Sequence, residues 1–292
     1  MKILIFGVGG MIGHRVWLEA NQIPNVEVFG LVRKSKTHYE KFGIFNDNVY
    51  YDTDVSDWVN VEHILNKLKP DVIVNALGIT IRKPEMGDFN LALTVNSFFP
   101  HKLLKWAQAI QSRIIHLSTD CVFDGDQGHY LETSQPSAKD IYGKTKFLGE
   151  IEGSGALTLR FSCIGRELES HTELLDWFLL QEGKKIKGFS KAIYSGLTNI
   201  VIAKEICRVI TNFSELTGVY QLSSTPITKY DLLCLAKTYF KLDVEIEKFD
   251  NYISDKSLIC DKYKKGTGFN APSWAAMLEE VVNDKKIDYK IF

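Results

Sequence analysis

A doubly wound α/β fold, a parallel sheet covered by helices on both faces with a smaller C-terminal lobe attached, is the architecture the sequence predicts. Three observations carry the prediction. Apolar strand-like runs and amphipathic helical patterns alternate strictly as far as residue 165. The strands, KILIF and PDVIVNALG among them, are apolar throughout instead of alternating, as strands buried on both faces must be. A glycine-rich turn, GVGGMIG at 7–13, follows the first strand at once and opens the first helix.

In chain order, KILIF is a buried strand, MIGHRVWLEANQI a helix and VEVFGLV a second strand. VEHILNKLK is amphipathic, PDVIVNALG is a strand ending in a glycine turn, and SFFPHKLLKWAQAIQ is a helix. RIIHLSTD is a strand, IYGKTKFLGEIE a helix and ALTLRF a further strand. Strand, helix, strand in repetition is the doubly wound rhythm. Beyond residue 165 it loosens. LLDWFLLQEG and IVIAKEICRVITNF read as helices, IKGF and AIYSG as short strands, and GVYQLSS as a late strand of the main sheet. TPITKYDLLCLAKTYF opens with Thr228 as N-cap and Asp231 three residues on. The remainder, including DKYKKGTGFNAPSW, reads as loop-rich. We draw the dinucleotide-binding domain over 1–165, with 199–224 returning to its sheet. Residues 166–198 and 225–292 form the lobe expected to hold substrate.

Bulk composition narrows the function. At 292 residues, 45% hydrophobic and 24% charged, the chain is an ordinary globular protein with formal net charge −1. Such a balance offers no surface for nucleic acid or for a membrane. No apolar run approaches the ~20 residues of a membrane span, and MKILIFGVGG breaks into glycines too soon for a signal peptide. The five cysteines are scattered without a Cys-x-x-Cys pair, which fits a reducing cytoplasm and suggests no metal site.

The glycine turn suggests chemistry. Gly7, Gly10 and Gly13 stand three apart, the requirement of a tight turn, a backbone close to a pyrophosphate, and a helix packed against a strand. Met11 and Ile12 complete the cradle. An acidic residue after the second strand would select NAD through its ribose hydroxyls; Arg33 and Lys34 stand there instead, favouring the 2′-phosphate of NADP(H), with NAD(H) still allowed. Asp54 and Val55, after the third strand, are placed to meet the adenine amino group. Asn75, Ala76, Leu77 and Gly78 end the fourth strand, where ligands lie in such sheets and where small residues leave room for a nucleotide. Tyr142 and Lys146 are four apart and share a helix face. The spacing alone fits either an ordinary exposed turn or a proton donor whose phenol is acidified by the neighbouring ammonium.

Taken together, GVGGMIG, NALG, LSTDCVFDG, IYGKTK and the Gly149-Glu150 pair resemble the extended short-chain dehydrogenase/reductases, most closely the dTDP-4-dehydrorhamnose reductase group. The resemblance spans residues 1–165 strongly and SGLTNIVIAKEI and GVYQLSS more weakly. It implies a catalytic trio of Thr119, Tyr142 and Lys146. Lys146 holds the nicotinamide ribose and keeps the phenol acidic, Tyr142 protonates the substrate carbonyl, and Thr119 donates a hydrogen bond to the same oxygen. It also places Asp120, with Cys121 beside it, near a nucleotide-sugar substrate. A homodimer is allowed.

Structural readings stand beside these. Ser118 satisfies a backbone group at the strand end, Asn96 is structural or relays through water, and His116 is packed. Glu150 and Arg160 are structural or surface charges, and Cys121 is a small hydrophobe. The related 4,6-dehydratases carry Glu where this chain has Cys121, so the resemblance implies reduction of a 4-keto-6-deoxy sugar over dehydration, with an epimerase as a lesser alternative. Leu77 interrupts the group's usual small-residue run, and FSCIGRELESH and Trp177 depart from its usual segment, so the sugar and nucleotide stay open. Relatives that bind NADP and a partner protein without turnover, such as the regulatory subunit of methionine adenosyltransferase, supply a non-catalytic alternative.

Overall fold

The computed structural model describes residues 1–289; the end of the expected lobe, 290–292, lies outside the described residues. The chain divides into two compact units. The first comprises 1–118, 140–159 and 202–219; the second comprises 119–139, 160–201 and 220 onward. The segment 119–139, drawn from sequence inside the dinucleotide domain, therefore groups with the second unit.

The main sheet uses β1 (Lys2–Phe6), β2 (Glu27–Leu31), β3 (Val49–Tyr50), β4 (Val72–Asn75), β5 (Arg113–Thr119), β6 (Ala156–Phe161) and β10 (Gly218–Gln221), in the order β10-β6-β5-β4-β1-β2-β3. The order turns back at β1, and the pairs β1–β2, β1–β4, β2–β3 and β4–β5 are parallel. This is the expected doubly wound fold, with its crevice at the carboxyl ends of β1 and β4. Register pairs Ile5 with Val74, and Asn75 with His116.

Between the strands run α1 (Gly13–Ala20), α2 (Lys36–Glu40), α3 (Trp58–Leu68), α4 (Phe89–Leu93), α5 (Phe99–Ala109) and α6 (Ile141–Leu148). One face of the sheet buries Leu4, Phe6, Ile73 and Ile114 against Val61, Ile64 and Leu65 of α3 and Phe99, Leu103 and Trp106 of α5. Phe6 and Phe99 meet edge to face, ring centroids 5.2 Å apart. Helix α3 begins at Trp58, earlier than the apolar periodicity suggests, because the Asp57 carboxylate accepts from Asn60 N.

The helix predicted from Ser97 is longer than expected. It starts at Phe89, and a π-helical turn, Thr94–Phe98, joins α4 to α5. Pro100 has no N–H to give the Asn96 carbonyl four residues back, and its ring would crowd that oxygen. The wider turn, with Phe99 N–H donating to Thr94 O, accommodates both.

Helix α8 (Asn199–Asn212) ends near Arg113 of β5. The buried guanidinium donates to the carbonyls of Val209 (3.0 Å), Phe213 (2.8 Å) and Leu216 (3.1 Å). It thereby ties the last turn of the helix, through Val209, to the Phe213–Leu216 turn that follows.

In the second unit, β7 (Cys163–Ile164) pairs with β9 (Leu197–Thr198), and α7 (Leu174–Leu179) follows the first of these. IKGF and AIYSG, read as two short strands, form one, β8 (Lys185–Tyr194); β11 (Ile227–Thr228) and β12 (Glu245–Asp255) flank it. Thr228 caps α9 (Lys229–Phe240) as expected, its hydroxyl accepting from Asp231 N at 3.0 Å.

The tail is not loop-rich. It holds β12, α10 (Asp261–Thr267) and α11 (Trp274–Asn283). Ser273 caps α11, and Trp274, Met277, Leu278 and Val281 bury one stripe of it at helical spacing. That periodicity is legible in SWAAMLEEVV.

Candidate functional site

The glycine turn has the geometry its spacing demands. Gly7 sits at φ +82°, and its carbonyl accepts from Gly10 N at 2.9 Å. A Cβ placed on Gly13 would lie 2.0 Å from Gly7 O, so only glycine lets α1 approach β1 this closely. Helix α1 starts after Met11 and Ile12, with no side chain capping its N-terminus, so the positive end of its dipole opens on the glycine turn, as an anion site requires.

Leu77 reaches the same turn: a Cβ on Gly7 would touch its Cδ2 at 2.9 Å. Ala76 lies beside it, its N–H bonded to Phe6 O at 3.2 Å. Gly9, unremarked in the motif, is crowded too, by a side chain instead of backbone: a Cβ there would fall 2.4 Å from the hydroxyl oxygen of Tyr39. Tyr39, on α2, therefore lies over the turn, a contact that nothing in the spacing announces.

Beyond β2, Arg33 donates through Nη2 to Glu85 Oε1 at 2.8 Å. The carboxylate raises the guanidinium's pKa, with smaller help from Asp54 and Tyr39, and Arg33 in turn lowers that of Glu85. Asp54 is exposed and accepts from Ser56 N at 2.8 Å, whereas Val55 is buried in the core beside α3. Of that predicted pair, Asp54 keeps an exposed side chain, while Val55 has only its backbone to offer a ligand.

Asn75 faces inward: Nδ2 lies 3.0 Å from His116 Nδ1, and Oδ1 accepts from Leu77 N at 3.3 Å. Its side chain thus shapes the β4 turn. His116 is fully buried, and burial pushes its pKa well below the usual imidazole value, which makes it a neutral, packed side chain as expected. Asn96 is structural too. It accepts from Ile79 N at 2.8 Å and donates at 3.1 Å to both Ile79 O and Thr145 Oγ1.

Asp140 caps α6 by accepting from Gly143 N at 2.8 Å. The helix carries Tyr142, half-buried, and Lys146, only 3% exposed. Lys146 Nζ donates to Leu117 O of β5 at 2.7 Å. Burial lowers its pKa to about 8, with Glu150 pulling the other way. A Cβ on Gly78 would lie 3.9 Å from both Lys146 Nζ and Asn96 Oδ1. The structure therefore gathers Gly78, Asn96, Leu117 and Lys146 at one point. Ser118 donates to Glu150 Oε1 at 2.7 Å instead of to a backbone group.

Thr119 closes β5 two residues after Leu117. Its hydroxyl caps a 3₁₀ turn over Asp120–Val122, accepting from Cys121 N at 3.1 Å and donating to Asp120 Oδ1 at 3.1 Å. Asp120 is buried, and desolvation raises its pKa against the opposing charges of Lys256 and Lys229. Cys121 is half-buried and stands outside any disulfide. In the same unit, Arg160 donates to Glu132 O and lies over the Phe123 ring.

Sequence reasoning missed Tyr194, whose hydroxyl is buried without a hydrogen-bond partner. Burial, together with the negative charges of Asp120 and Cys163, pushes its pKa well up. Among the described residues, no group of three or more His, Cys, Asp or Glu side chains is placed to hold a metal. No helix there is long and apolar enough to cross a membrane.

The chain is similar to known proteins over most of its length. The beta subunit of methionine adenosyltransferase 2 from Rattus norvegicus is 26% identical over 265 residues, 82% of this chain and 72% of the relative. The dTDP-4-dehydrorhamnose reductase of Salmonella typhimurium is 31% identical over 151 residues, 51% of this chain and 46% of that one. Among solved structures, the dTDP-4-dehydrorhamnose reductase of Bacillus anthracis in complex with NADP superposes with a TM-score of 0.80. It is 17% identical and covers 98% of this chain and 99% of its own; at that identity it attests the fold. The model of the RmlD substrate binding domain matches residues 1–165. Glycine turn, Tyr-Lys helix and doubly wound sheet all fall within that match or beside it, and the chain belongs to the RmlD substrate binding domain family, of the extended short-chain dehydrogenase/reductase type.

Proposed function

We propose that this protein reduces the 4-keto group of a nucleotide-activated 4-keto-6-deoxy sugar, using NADP(H) in preference to NAD(H), in the cytoplasm and in the service of deoxysugar and surface-polysaccharide synthesis. One observation carries the reading: the Lys146 amine is buried one helical turn from Tyr142, fixed by Leu117 O and adjacent to Gly78.

The Gly7–Gly13 turn and the uncapped start of α1 fit a dinucleotide pyrophosphate, because the space a Cβ would fill is left to backbone. When bound, a nicotinamide cofactor supplies the hydride. The chain's own residues do the rest. Tyr142 hands its phenolic proton to the sugar's carbonyl oxygen as charge develops there. Protonated Lys146 makes that transfer easier by favouring the phenolate. Thr119 hydrogen-bonds the same oxygen once its proton turns from Asp120 towards substrate. Asp120 and Cys121 belong to the sugar's binding surface.

A second reading has an observation of its own. The likeness to the methionine adenosyltransferase beta subunit extends over 82% of this chain, against 51% for the curated reductase. A nucleotide-binding regulatory subunit would keep the cradle and dispense with turnover. NADPH oxidation in the presence of dTDP-4-keto-6-deoxy sugars separates the two. Turnover that falls at least about a hundredfold in Tyr142→Phe, with NADPH affinity held, supports the reductase. Tight NADPH binding without oxidation on any sugar nucleotide supports the subunit.

A further inference from the structure

Arg33 stands two residues beyond β2, where chains of this architecture read the adenosine ribose. Its guanidinium is not idle there. Glu85, 52 residues later in a short 3₁₀ turn (Pro84–Gly87), holds Nη2 at 2.8 Å. Arg33 is 53% exposed and Glu85 33%, so both remain within reach of a ligand. Asp54 adds a second carboxylate to the field around the guanidinium, and Tyr39 links this corner to the glycine turn. A cation offered to a phosphate is thus already matched by an anion of the chain's own.

We propose that Glu85 is a specificity-determining residue that weakens discrimination in favour of the 2′-phosphorylated cofactor. The inference rests on the nicotinamide reading above. A 2′-phosphate has to take the guanidinium away from Glu85, exchanging one anion partner for another, so part of its charge-assisted bonding replaces a contact already made. An unphosphorylated ribose makes no such demand. Its 2′-hydroxyl instead finds in Glu85 a carboxylate able to accept its hydrogen bond, the role an acid after β2 plays in NAD-selective relatives of the fold. Arg33 and Glu85 together make a site that serves both cofactors, with Glu85 setting the balance.

The test is direct titration of the full chain with NADPH and with NADH, for the wild type, E85Q, R33A, the double variant, and D47N as control. Asp47 is exposed and pairs with Lys36 at 3.2 Å, so D47N removes the same charge elsewhere in the unit. In E85Q the NADPH Kd falls about fivefold, the scale of an exposed ion pair. The NADH Kd stays level or rises, and D47N leaves the ratio of the two constants alone. In the R33A background, E85Q no longer tightens NADPH. An unchanged ratio in E85Q overturns the proposal, as does an equal change in D47N or a gain in NADPH affinity that survives without Arg33. Wild-type protein that binds neither nucleotide brings down the cofactor reading itself, a result distinguishable from the others because it appears before any substitution is made.

Discussion

Gly149 and the carbonyl of Asn96 touch: a Cβ placed on that glycine would lie 1.8 Å from the oxygen. The oxygen is the one Pro100 cannot serve, so α6 docks its C-terminal glycine against the carbonyl that the proline leaves over. Gly149→Ala forces a methyl into backbone, and backbone does not yield as a flexible side chain does. The loss of stability is expected to reach about 3 kcal/mol or more, read as a lowered urea midpoint with unchanged slope. A variant as stable as the wild type would show that α6 can shift freely, contrary to the packing described.

Arg113 supports α8 by geometry as well as by charge. Three carbonyls surround one planar guanidinium, and an ammonium cannot spread its donors in the same fork. Arg113→Lys is therefore expected to cost roughly 2 to 4 kcal/mol, with amide hydrogen exchange accelerating first in the last turn of α8. Protection that stays uniform along that helix would contradict the assignment.

Asp176 plays the corresponding part in the second unit. It is wholly buried and accepts from Arg166 Nε at 2.5 Å, His171 Nδ1 at 2.7 Å and Glu167 N at 2.8 Å. Asn in its place turns an amide N–H₂ towards at least one of these donors and removes the charge that balances Arg166. A loss of roughly 3 to 5 kcal/mol is expected, visible as a depressed thermal midpoint. Full stability in Asp176→Asn would mean that the cluster is spectator to folding.

Lys146 ties function to pH. Its pKa is about 8 in the folded chain against 10.5 for the free group, so between those values the unfolded chain binds the extra proton. Stability then rises with pH across this window, and the penalty for burying the ammonium is fully present below about pH 8. Lys146→Met removes both charge and titration. Its stability relative to the wild type is expected to be greatest at neutral pH, by up to about 3 kcal/mol before the lost bond to Leu117 O is counted. That advantage shrinks as pH approaches 10.5. Denaturant titrations of both proteins from pH 7 to 10 check this; a constant difference would place the amine in water.

Much of this was legible along the chain. Apolar runs gave the strands because their burial on both faces leaves no room for polar residues, and Asp140 and Thr228 cap helices where their side chains can reach a nearby amide. Local signals also gave the Gly7–Gly13 turn, since one strand and one helix determine its shape. The pairing of Arg33 with Glu85, the seat of Tyr39 over Gly9 and the buried hydroxyl of Tyr194 lay beyond reach. Each joins residues that only tertiary structure brings near, and none has a period or spacing of its own. Asn75 shows the same limit from the other side: a residue at the right address for a ligand spends its amide on His116 and Leu77.

The widened turn at Thr94–Phe98 has a consequence for how this chain can change in length. Its i+5 bonding holds one residue more than an ordinary helical turn. Excising one of the five would let the segment relax to regular α winding, four residues then turning through nearly the angle that five span here, so the helices on either side would keep their faces. The residue to be kept is Asn96, whose amide ties the turn to Ile79 and Thr145. The stretch is in effect a slack link, able to give up a residue that regular helix on either side could not.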